Sequence, residues 1–141
     1  MNRKQDTLRR LEEDEDVWVA SADPDGNPYL VPLSFLWDGA ALILATLGST
    51  PTGRNLRATG RIRIGLGLTR DVVMIDGSAE PLHPDEVSDE LGDAFLAKAH
   101  FDPRKLDGYL YFRVVPTRIQ AWGEEYELKD REILRNGTWL I

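Results

Sequence analysis

The chain has no cysteine, which removes disulfides, thiolate metal sites, iron–sulfur clusters and cysteine nucleophiles from consideration. Histidine is nearly absent as well. Only His83 and His100 supply imidazole, too few for a histidine-rich centre, and no metal site is expected. No apolar run approaches the roughly 18 residues that span a bilayer, so a membrane partner is not expected. The opening Met1-Asn2-Arg3-Lys4-Gln5-Asp6 runs into charged residues without the apolar core of an export signal, which points to the cytoplasm. Surplus positive charge is missing too. A formal net charge of −7 argues against nucleic acid as the main partner.

What is present suits one folded domain over residues 1–141, with 42% hydrophobic residues, 29% charged residues and enough length for a core. Charge is unevenly placed. Glu12, Glu13, Asp14, Glu15 and Asp16 form an acidic block that reads as a solvated helix end. Arg54, Arg57, Arg61, Arg63 and Arg70 form a basic stretch in mid-chain, and a local basic patch on an acidic protein suits a small anionic ligand.

The chain order is helix, strands, helix, strand. Residues 3–15 hold helix formers with Leu8 and Leu11 three apart. Strands are expected at Asp16–Ala22, Tyr29–Trp37 and Ala41–Thr46, joined by the turn signal Asp23–Pro28 and the hairpin pair Asp38-Gly39. The third strand is wholly apolar and should be buried on both faces. A small-residue loop and a short helical turn, Arg54–Ala58 ended by Gly60, lead to strands at Arg61–Thr69 and Asp71–Ala79. A helix is expected over Pro84–His100, then a long strand at Tyr109–Trp122 and a tail with a turn at Asn136-Gly137. Six strands with short connections leave exposed edges in an open sheet, and closure into a barrel removes them.

Chemistry concentrates in Ala45-Thr46-Leu47-Gly48-Ser49-Thr50-Pro51-Thr52-Gly53-Arg54-Asn55-Leu56. A buried strand runs into glycines that allow close backbone approach. Hydroxyl donors follow, then the anion-attracting start of a helix, and an arginine able to grip a phosphate. Plain helix capping is the alternative reading of the same residues. The ordered set of strands around this segment, with Tyr29–Asp38 before it, Arg61–Leu68 and Val72–Ala79 after it, and the late Tyr111–Trp122 strand, resembles the pyridoxamine 5'-phosphate oxidase-like family, which includes flavin and deazaflavin oxidoreductases.

That resemblance implies a mainly β fold, a six-stranded antiparallel split β-barrel of Greek-key type with short flanking helices. It also implies a homodimer with the cofactor, FMN or the deazaflavin F420, between the two copies. By position Thr46 and Leu47 would lie beside the ring, with Leu33 and Ser34 near its edge. Ser49, Thr50, Thr52 and Arg54 would serve the phosphate, Asn55 would brace the loop, and Trp122 would wall the cofactor from the partner chain. Many relatives carry a lysine two residues before the arginine; Thr52 stands here and brings no charge. The expected function is an FMN-dependent oxidoreductase acting on a small molecule. The alternatives are a deazaflavin-dependent reductase, favoured by Thr52, and a non-catalytic cofactor- or haem-binding protein. No catalytic residue stands out. His83 and His100 read as surface or capping residues. Trp18, Trp37, Trp122 and Trp139 read chiefly as core and interface packing.

Overall fold

The alternation of Val17, Val19 and Ser21 with Asp16, Trp18 and Ala20 builds β1 (Asp16–Ala22), whose first set is buried. The computed structural model describes residues 2–141, so Met1, the first residue of the expected domain, lies outside the described residues. Five more strands follow the same logic: β2 (Pro28–Trp37), β3 (Leu42–Leu47), β4 (Arg61–Leu68), β5 (Asp71–Leu82) and β6 (Tyr109–Trp122). They are hydrogen-bonded antiparallel in the order β3–β2–β1–β4–β5–β6, and β6 pairs again with β3. This closes a six-stranded barrel. With β4 beside β1 after a three-strand meander, the connection is a Greek key.

Strand β6 does the closing. Its Tyr109–Val114 half pairs with β3, while β5 accompanies it from Tyr111 to Trp122. Beyond Pro116 its other edge goes to β7 (Glu132–Arg135), which turns through Asn136 and Gly137, both at positive φ, into β8 (Thr138–Trp139). The sequence showed this hairpin only as a turn. Strands β2 and β3 meet only at Phe35–Leu44, Leu36–Ile43 and Trp37–Leu42, and then part. Leu33 and Ser34 pair only with β1, and Thr46 and Leu47 only with β6. That parting is the split in the barrel.

The apolar run at the start of β3 serves two cores. Leu42 and Leu44 face the barrel interior with Phe35, Ile64, Ile75 and Phe112; Ile43 and Ala45 face a second cluster with Phe95 and Tyr111. Phe95 belongs to α3 (Asp89–Ala99) and meets the Tyr111 ring edge-on at 5.4 Å. The expected helix Pro84–His100 is in fact broken. A 3₁₀ turn at Pro84–Glu86 precedes it, and the Ser88 hydroxyl, accepting from the Leu91 amide, sets the true start. Lys98 sends its ammonium to the Asp14 and Phe35 carbonyls at 2.7 and 3.0 Å, tying α3 to the corner between β1 and α1 (Arg3–Glu13). No helix of the described residues is long and apolar enough to cross a membrane.

Phe112 is fully buried opposite Leu44 at the barrel closure. Phe112→Ala should cost about 3–5 kcal/mol of stability, read from a denaturant titration. An unchanged midpoint would mean that the β3–β6 seam does not hold the barrel.

Candidate functional site

From the end of β3 the chain passes through Gly48 and Ser49 into α2 (Pro51–Thr59). The helix is longer than the turn read at Arg54–Ala58. Thr50 is its N-cap, accepting from the Gly53 amide at 3.1 Å, and Pro51 fits the first helical position, where no amide is needed. The Thr50 hydroxyl also donates to the Leu47 carbonyl at 2.8 Å. Gly53 lies so close to the strand end that a Cβ there would stand 2.3 Å from the Leu47 carbonyl oxygen and 2.9 Å from Gly48 Cα. Only glycine allows this approach. Farther along, buried Asn55 donates to Ser21 Oγ at 3.1 Å and Leu56 enters the core, so α2 is fixed to β1 as well.

Two arginines hold the loop between them. Arg54 donates to the Ser49 carbonyl at 2.6 Å, and Arg57 donates to the Gly48 carbonyl. Gly48 in turn donates its amide to the Gly108 carbonyl at 3.0 Å, tying the loop to the segment before β6. Against this loop opens a groove of about 1160 Å³. Gly48, Ser49 and Arg57 border it, as do His83 at the end of β5 and Arg104 and Tyr109 from the segment entering β6.

The expected site residues divide accordingly. Ser49 borders the groove with an exposed side chain, and half-buried Thr46 and Leu47 end the strand that feeds it. Thr50 is spent on the helix cap. Asn55 points into the protein and bonds Ser21 on β1. Thr52 lies inside the protein. It is 2% exposed with its hydroxyl buried and unpartnered, and it does not border the groove; a helix starting at Pro51 turns this side chain inward. Arg54 is exposed but lies outside the groove lining, and Arg57 takes that place. Leu33 and Ser34 lie just beyond the last β2–β3 pair, on the parting strand, with Ser34 Oγ donating to Asp16 Oδ1 at 2.9 Å. Trp122 is at the far end of β6, thirteen residues from Tyr109 and so about 40 Å away along the strand; one chain alone does not bring it to the loop.

Arg57, His83, Arg104 and Tyr109 are groove residues that the sequence did not mark as such. Arg57 was visible in the basic stretch. Arg104 sits between two turn signals, Asp102-Pro103 and Asp107-Gly108, with nothing local to show what it faces. The tryptophans scatter: Trp37 is in the core, Trp18 is 53% exposed on the outer sheet face, Trp139 lies under the Lys4 ammonium and Trp122 beside Arg131. A smaller hollow of about 550 Å³ beside Ser21, Arg61 and Arg63 is flanked by the Arg63–Asp76 ion pair at 2.6 Å.

The family model for pyridoxamine 5'-phosphate oxidase matches residues 4–123. No curated protein matches in sequence. Among solved structures, the fold is similar to that of the heme storage protein HutZ from Vibrio cholerae, at 13% identity and a TM-score of 0.70, covering 97% of this chain and 99% of the other. An F420 reductase is similar at 18% identity and a TM-score of 0.65, with 79% and 93% covered. A FAD-binding protein from Mesorhizobium loti is similar at 19% identity and a TM-score of 0.65, with 84% and 90% covered. At such identities the likeness is one of fold.

Gly53→Ala forces backbone apart at the root of the site and should cost about 2 kcal/mol or more in a denaturant titration. A gain in stability, as for an ordinary helical glycine replaced by alanine, would contradict the close packing of α2 on the strand end.

Proposed function

The chain belongs to the pyridoxamine 5'-phosphate oxidase family, and on that premise we propose that it binds FMN in the groove beside Gly48 and Ser49, closed by a second copy of the chain, as an oxidoreductase acting on a small molecule. The carrying observation is that Ser49 and Arg57 border one groove of about 1160 Å³. Pockets of roughly 300–1,000 Å³ hold drug-sized ligands, so a ring system with a phosphate tail fits the space. Arg57 gives one donor to the Gly48 carbonyl, and a guanidinium has five, so donors remain for a phosphate. Gly48 lets the loop pack tightly beside the groove; a Cβ there would crowd Leu110 at 3.1 Å.

The bound flavin would supply hydride and electron transfer, and the protein supplies position and a dry environment. The split between β2 and β3 supports this assignment. Thr46 and Leu47 on one lip, and Leu33 and Ser34 on the other, lack the backbone pairing that continues elsewhere round the barrel. Those strand edges can hydrogen-bond a planar, polar-edged ring. Trp18 and Leu30, 53% and 59% exposed on adjacent strands of the outer face, favour burial against a second copy.

A specific observation also favours a deazaflavin such as F420. Thr52 is uncharged and buried, so the start of α2 offers no lysine to a phosphate. A cofactor with a longer anionic tail can find its counter-charge farther along the groove.

The absorption spectrum of freshly purified protein and parallel titrations with FMN and a deazaflavin test the proposal. Flavin absorbance and quenched FMN fluorescence are expected, with Arg57→Glu weakening FMN binding about tenfold or more and Arg61→Glu leaving it unchanged. A colourless protein that leaves FMN fluorescence unquenched contradicts the assignment. A haem spectrum would replace it with the carrier reading.

A further inference from the structure

Arg104 borders the groove from the segment leading into β6 and is held more firmly than a surface arginine needs to be. Its Nε donates to Asp102 Oδ1 at 2.8 Å, and its Nη2 donates to Asp102 Oδ2 at 3.1 Å and Asp93 Oδ1 at 2.9 Å. Asp102 is itself fixed, with a side chain only 9% exposed that also accepts the Arg104 amide at 3.0 Å. These hydrogen bonds, Asp102 foremost, push the pKa of the guanidinium further above its already high ordinary value. The remaining side of the seat is steric. Gly92 lies within α3, where a Cβ would stand 2.5 Å from Arg104 Nη1 and 2.8 Å from Cζ. A helical glycine costs about 1 kcal/mol relative to alanine, and here it makes room for the flat face of the guanidinium.

Nη1 takes no part in those three hydrogen bonds, so its donors remain. Lys105 in the same turn shares none of this fixing. Exposed Asp85 and Asp107 also border the groove, so bare positive potential does not select a ligand there. Directed donors on a fixed guanidinium do, because a fork whose orientation is already set loses little freedom on binding. The same groove carries a second arginine, Arg57, beside the Gly48–Ser49 loop.

We propose that Arg104, seated on Gly92 by Asp93 and Asp102, is a preset donor for an anionic group of the groove's ligand, a carboxylate or a phosphate. The group belongs either to the cofactor or to a separate anionic substrate. The inference rests on the groove being the ligand site of the proposed function.

Two variants test it on the full chain. Arg104→Gln removes the guanidinium. Gly92→Ala keeps every charge and displaces the guanidinium, whose flexible stem lets it give way without unfolding the helix. Inorganic phosphate and succinate are titrated by calorimetry into each protein, with and without FMN. FMN and riboflavin, which lacks the phosphate, are titrated in parallel. The proposal expects both variants to weaken one anion about tenfold. Loss confined to FMN, with riboflavin unaffected, assigns the anion to the cofactor; loss of succinate or phosphate with FMN unchanged assigns it to a substrate. Affinities for all four probes within twofold of the parent, or a lowered unfolding midpoint as the sole effect, would reduce Arg104 to a clip between its turn and α3 and overturn the proposal. The phosphate and succinate titrations need no flavin, so failure of the parent to bind FMN sinks the cofactor assignment alone.

Discussion

The approach of Gly53 to the Leu47 carbonyl governs the site. With no Cβ at residue 53, the first turn of α2 rests directly on the end of β3, and the Thr50 hydroxyl joins the two by bonding both the Leu47 carbonyl and the Gly53 amide. That contact decides which groups are offered outward. Thr50 is consumed and Thr52 is turned into the protein, while Ser49 stays exposed at the groove with the Gly48 backbone beside it. Arg54 and Arg57 then fix the loop by its carbonyls, and each retains donors beyond the one it uses.

Barrel closure supplies the other half of the geometry. Pairing of β6 with β3 places the segment entering β6 next to the Gly48–Ser49 loop, and the bond between the Gly48 amide and the Gly108 carbonyl locks the two together. The groove lies between them. On the opposite edge of β3, pairing with β2 lasts three residues, so the strand that carries Thr46 and Leu47 is stitched on one side and open on the other. A rigid strand end with one free edge, a fixed loop and an adjoining groove make a place where a planar ligand with a charged tail can be held without movement of the fold.

Much of this was legible in the sequence because alternation is a local signal. Asp16–Ala22, Tyr29–Trp37 and Tyr109–Trp122 declared themselves as strands, and the edge problem called for a barrel. The unbroken apolar run of β3 signalled burial on both faces, and the structure supplies the reason, a second core under α3. What the sequence hid depends on contacts between distant segments. Nothing local shows that Thr52 faces inward, that Arg57 rather than Arg54 borders the groove, or that Gly92 makes room for a residue twelve positions later. The helix before β6 starts later than Pro84 and Asp85 suggest, because the Ser88 cap wins over that start signal.

The central claim is that the tail of a phosphate-bearing cofactor lies in the groove beside Gly48 and Ser49. A crystal structure of the protein with FMN tests this most directly. The phosphate is expected within hydrogen-bonding distance of the Ser49 hydroxyl and the Arg57 guanidinium. A phosphate found instead in the hollow beside Arg61 and Arg63, with the groove holding only water, would contradict it.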